Sequence, residues 1–173
     1  MLTIRQNLPV AHMFCKNEDS CTYLRFFSKL KLRVGPVFAS VFMSDMAPVM
    51  YSAWVQIMPK PDKQLYCSWH VSRAVRTKLK SFFGSKSQIY YAVKQLFYSL
   101  RDSMDQESYF KNLNIFRNYI FELKMKIEEE KLTKIIKYFD TFWFANHKTP
   151  LWCYFHRKQS TINTNMRLEN LHR

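Results

Sequence analysis

Asp45 closes the apolar run Val37 to Asp45 (VFASVFMSD), and a carboxylate in that place could hold a divalent cation. Ligands of α/β sheets gather just beyond the carboxyl ends of strands, and Mg²⁺ takes oxygen ligands while keeping water for chemistry. A simpler task suits the same residue, since Asp is favoured at helix starts, where it accepts a backbone N–H. Cys67 and His70, in LYCSWH, have a Cys-x2-His spacing that Cys153 and His156 repeat. Thiolate and imidazole are ligands that tetrahedral zinc prefers, but the two pairs are separated unlike those of any compact zinc module. Packing alone accounts for Cys67 as a small buried side chain, with His70 hydrogen bonding at a helix start. Glu169, in TNMRLENLHR, would project from a helix capped by Thr164 or Asn165. The plain alternative there is a solvated amphipathic helix with Met166 and Leu168 or Leu171 turned inward.

A second group could act by charge. Arg73, Arg76 and Lys80 fall on one helical face, opposite Val71, Ala74, Val75, Leu79 and Phe82. With Lys60, Lys63 and Lys86 around them they could contact phosphates, although charged helix faces are commonly just solvated. The whole chain leans the same way, with 27 Lys and Arg against 13 Asp and Glu and a formal charge of +14. Such an excess favours polyanions, of which nucleic acid is the commonest. An anionic membrane surface would satisfy the same electrostatics. The longest apolar run, near Val34 to Met43, is about half the roughly 20 residues that span a bilayer, and Gly35 and Pro36 interrupt it, so no membrane partner is expected. Phe97, Tyr98, Tyr109, Phe110, Phe116 and Tyr119 could stack on bases, yet their helical spacing points first to core packing.

These side chains need elements to hold them. At 173 residues the chain suits one domain, and a composition 47% apolar and 17% aromatic supplies material for a core. Two glycines are too few for a turn-rich all-β fold, so helices should dominate. Cys15, Cys21, Cys67 and Cys153 are irregularly spaced, and reduced thiols are expected. Pro9 to Cys15 is compatible with a strand. Asn17, Asp19 and Ser20 can cap a helix that carries Tyr23, Leu24, Phe27 and Leu30 and breaks at Gly35-Pro36. Val37 to Met43 reads as a buried parallel strand, Val49 to Met58 as a helix with Pro48 in its first turn, and Gln64 to Trp69 as a short strand before a helix from His70. This order predicts an α/β sheet with parallel members. Beyond Ser85 the pattern turns helical, over Ile89 to Leu100, Tyr109 to Ile127 and Leu132 to Phe144.

Taken in order, Ser44-Asp45, Cys67-Ser-Trp-His70, the helical stretch Phe83 to Phe144 and the terminal Thr164 to His172 resemble the catalytic domain of mutator-like element (MULE) transposases. The resemblance implies a ribonuclease H-like α/β fold of DDE type, divided into a partial core over 1–82, a helical insertion over 83–148 and a return to the core over 149–173. It implies that Asp45 and Glu169 are catalytic and hold Mg²⁺ or Mn²⁺ for DNA strand cleavage and joining, with Cys67 and His70 as a family signature. Three carboxylates serve that chemistry, and the first belongs to a central strand preceding any segment present here. The expectation is therefore an incomplete ribonuclease H-like fold lacking its first strand. It would be a truncated or decayed transposase fragment, ancestrally catalytic, inactive as it stands and without a tightly bound ion. The strand Val37 to Met43 would then present an unpaired apolar edge prone to association, including homo-oligomers. DNA is the expected partner, bound in part by Arg73, Arg76 and Lys80, and a nuclear location follows from that expectation alone. A non-catalytic DNA-binding or protein-interaction role adapted from such an element is the alternative.

Overall fold

A computed structural model describes residues 11–157, which fall into two compact units, 11–67 and 68–157. The fold is mixed α/β and mostly helical, with one small parallel sheet among the described residues.

The first unit runs α1 (Ser20–Val34), β1 (Val41–Ser44), α2 (Pro48–Ile57) and β2 (Lys63–Tyr66). Asp19 starts α1 as the sequence predicts, its Oδ1 accepting the Thr22 N–H at 2.8 Å. Gly35 ends it at φ 80°, a left-handed backbone that a side chain would resist. Pro48 opens α2, whose last residue offers its carbonyl to the Lys31 Nζ at 2.7 Å. Apolar spacing on the two helices brings Tyr23 and Phe27 of α1 together with Ala53 and Trp54 of α2 and Phe42 of β1. The Trp54 ring lies 5.3 Å from that of Phe27 and 5.2 Å from that of Phe42, and its Nε1 donates to the Pro59 carbonyl at 3.0 Å. Its polar atom is thereby satisfied within an apolar core.

β1 and β2 pair in parallel, with Val41 opposite Lys63 and Ser44 opposite Tyr66. The apolar run from Val37 is longer than the strand it yields. A four-residue β2 gives hydrogen-bond partners only to the end of that run, so regular strand begins at Val41 while Phe38 is exposed. Residues 11–15 form no strand either, and Phe14 is fully exposed. Apolar composition there is not matched by a sheet partner among the described residues.

The second unit is all helical over its described residues. Its elements are α3 (Ser68–Phe83), α4 (Gln88–Arg101), α5 (Gln106–Glu122) with a 3-10 turn at Leu123–Met125, α6 (Glu129–Phe142), α7 (Thr149–Trp152) and a last 3-10 turn at Tyr154–Arg157. The helix expected from His70 starts two residues earlier, at Ser68, and belongs wholly to this unit. The stretch Tyr109 to Ile127, expected as one helix, breaks after Glu122, and a fresh helix begins at the acidic Glu129 and Glu130. Val71, Val75 and Leu79 form the buried stripe of α3. Aromatic side chains fill the centre, where Phe97 stacks on Trp152 at 5.1 Å and meets the edge of Trp143 at 5.2 Å. Arg157 is buried, donating from Nη1 to Ser68 Oγ at 2.8 Å and from Nη2 to the Leu151 carbonyl at 3.2 Å. No helix of the described residues is long and apolar enough to cross a membrane.

Candidate functional site

Asp45 directly follows β1, and Cys67 directly follows β2, so the parallel register sets these two residues side by side beyond the carboxyl ends of both strands. The Cys67 N–H donates to the Ser44 carbonyl at 2.8 Å, extending the ladder by one bond. This is the position that the apolar run announced. The Asp45 carboxylate already has work in the backbone, since Oδ1 accepts the Ala47 N–H at 3.0 Å just before α2. That bond closes a turn typical of Asp, while the cap position of α2 belongs to Ala47, so Asp45 supports the backbone before the helix without being the N-cap that the sequence offered as its simpler role.

Two phenols sense the Asp45 charge. Burial, followed by the nearby carboxylates of Glu18 and Asp45, pushes the Tyr23 hydroxyl up to about 12. Tyr66 is raised as well, first by burial and then by Asp45. Both hydroxyls therefore stay protonated at neutral pH and can donate hydrogen bonds near the strand ends. The sequence marks Tyr23 as a core residue and does not single out Tyr66. The aromatic repeat of α1 is visible there, but only the tertiary packing of α1, chiefly against α2, brings it toward Asp45.

A Mg²⁺ or Mn²⁺ site requires more oxygen ligands than this. Among the described residues no three His, Cys, Asp or Glu side chains gather as a metal-holding group, and Glu169 lies outside the described residues. One carboxylate with an oxygen engaged by the backbone does not by itself fit the ion. Cys153, in the repeated Cys-x2-His pair, donates its thiol to the Leu100 carbonyl at 3.2 Å. Burial pushes that thiol up to about 12, which opposes the thiolate that zinc would require.

In the second unit, Arg73, Arg76 and Lys80 are all exposed on α3, on the side away from Val71, Val75 and Leu79. Helical rise spaces Arg73 and Lys80 about 10 Å apart along the axis, the length of about three base pairs. No acidic residue occurs in α3. Ion pairs join Arg101 to Asp102, Arg117 to Asp140 and Lys134 to Glu130, and none of these three involves Arg73, Arg76 or Lys80. Arg73 lies over the Trp69 ring at 5.1 Å, which fixes the guanidinium without neutralising it. Arg101, by contrast, is committed to Asp102 and to Ser72 Oγ.

Comparison with family descriptions, curated proteins and solved structures finds no match. The chemistry of the side chains themselves therefore carries the functional reading. Of the six aromatics with the chemistry to stack on bases, Phe97, Tyr109 and Phe116 are buried, whereas Phe110 keeps 51% of its surface exposed. Only an exposed ring can receive a ligand without dismantling the core.

Proposed function

We propose that this chain derives from a DDE-type DNA transposase of the mutator-like kind, with a ribonuclease H-like ancestry, and that its present function is to bind DNA. The observation that carries the reading is the exposed, acid-free face of α3 bearing Arg73, Arg76 and Lys80, on a chain whose formal charge is +14. Cations held at helical spacing neutralise successive phosphates and release counterions, a favourable term that falls with salt. The order of Asp45, Cys67 and His70 on a strand, helix, strand, helix sequence supports the ancestry. In the ancestral role, divalent-metal-dependent DNA cleavage and joining, Asp45 and Glu169 would be the metal ligands. Binding is the part of that role for which the described residues supply the groups, and a nucleus is the compartment it fits.

The test is duplex DNA binding by the full chain, followed by anisotropy across a salt series. Replacing Arg73, Arg76 and Lys80 together by Ala should weaken binding at low salt. The slope of log affinity against log salt should flatten by up to about 2.7, at about 0.9 for each phosphate no longer neutralised. Substitution of three exposed side chains leaves the buried stripe of α3 intact, so folding is preserved. An unchanged affinity with an unchanged slope would sink the reading.

A further inference from the structure

The second unit holds a cavity of about 330 Å³ between α5, the segment before and within α7, and the turn at Tyr154–Arg157. Aromatic rings make much of its wall. Tyr109 lies 5.6 Å from Phe110 on one side and 5.6 Å from Phe155 on the other, and Phe144 also lines the space. The Tyr109 hydroxyl is 3.5 Å from Thr149 Oγ1, which holds the middle ring in place. Polar groups stand among the rings, with the Asn146 amide offering donors and an acceptor and Arg117 offering a cation. Among the described residues no carboxylate lines the cavity. Arg117 does pair with Asp140 at 3.3 Å, but both side chains are about half exposed, and such a pair is readily exchanged for another anion.

The volume is near the lower end of the roughly 300–1,000 Å³ usual for small-ligand sites, and a flat, edge-polar occupant suits a cavity walled by rings. We infer that it receives a single unstacked nucleobase of a DNA strand, with Phe110 as the stacking face, Asn146 on the base edge and Arg117 on the adjoining phosphate. Phe110 is the most exposed of the lining rings, at 51%, so it is free to stack without loss of core packing. The neighbouring groove between α5 and α6 shares Arg117 and Phe144 and is also lined by Asp140. This assignment rests on the DNA-binding reading and adds to it a preference for bases that the α3 face cannot supply, because backbone phosphates carry no base information.

The experiment compares the full chain binding oligodeoxythymidylate, an abasic strand of the same length, and duplex DNA. One stacked base should favour the thymidylate over the abasic strand by about 5- to 150-fold. Phe110→Ala and Phe110→Leu should remove most of that preference and Phe110→Tyr should keep it, while duplex affinity stays unchanged in all three. Asn146→Ala should reduce the preference in part. Equal binding of thymidylate and abasic strand, with duplex still bound, would overturn the cavity assignment and leave the DNA reading standing. A preference unaltered by Phe110→Ala would also overturn it. Binding to none of the three polymers would remove both.

Discussion

Cys153 and Asp45 show how residues of types suited to chemistry can turn out to serve the backbone. Cys153 gives its thiol to the Leu100 carbonyl, and Asp45 accepts the Ala47 N–H. Burial raises the Cys153 thiol to about 12 from an ordinary 9.0, so the fold disfavours the thiolate. Its contribution to stability is complete below 9.0 and is lost as the pH climbs from there through the raised value, because the unfolded chain ionises first. Cys15 and Cys21, both exposed, should be alkylated quickly at about pH 8 while Cys153 and the equally buried Cys67 are spared until denaturant is added. Mass spectrometry of iodoacetamide-treated protein reads this directly. Rapid labelling of Cys153 in the native protein would contradict its burial.

Helix boundaries follow rules that act within a few residues. Asp105 accepts the Ser108 N–H at 2.7 Å, and Ser108 Oγ accepts the Asp105 N–H at 3.3 Å, a reciprocal cap that fixes the start of α5. Asp105→Ala should cost about 0.5–2 kcal/mol in urea unfolding, with Asp105→Asn recovering most of it. Asp19 acts likewise at α1, and the bond from the Thr22 N–H holds its carboxyl below the ordinary 3.8. That cap is fully effective above 3.8 and fades as the pH falls through the lowered value. Such signals are local, and the sequence carries them: Asp19, Gly35, Pro48 and the apolar repeats of α3, α4 and α6 are found where their types predict. Strands obey another rule. Val37 to Val41 has the composition of a strand throughout, but a strand lasts only as far as its partner, and the four residues of β2 end it.

Among the described residues, buried apolar side chains are found in both units. Tyr23, Phe27, Phe42 and Trp54 serve the first unit, and Phe97, Phe116, Phe139, Trp143 and Trp152 serve the second. Phe97 is fully buried against two tryptophans, so Phe97→Ala should cost about 3–5 kcal/mol, seen as a lower urea midpoint. Phe110→Ala, half exposed, should shift the midpoint far less, which separates the core rings from the ring assigned to a base. The charge excess acts at this scale too, since a field set by +14 gathers polyanions before any particular contact forms.

Composition and periodicity alone determined that the chain is basic, that helices dominate beside parallel strands, and that Arg73, Arg76 and Lys80 face away from the apolar stripe of α3. Those features depend on residue type and on spacings of a few residues, which backbone geometry converts directly into structure. Tertiary structure decided the rest. It determined where β1 begins, that Tyr23 and Tyr66 sense Asp45, that Cys153 is spent on a carbonyl, and that of six candidate aromatics Phe110 is the exposed wall of a cavity. Each of these depends on which distant residue arrives as a neighbour, and burial, strand pairing and cavity shape are properties of that arrival rather than of the chain's local sequence.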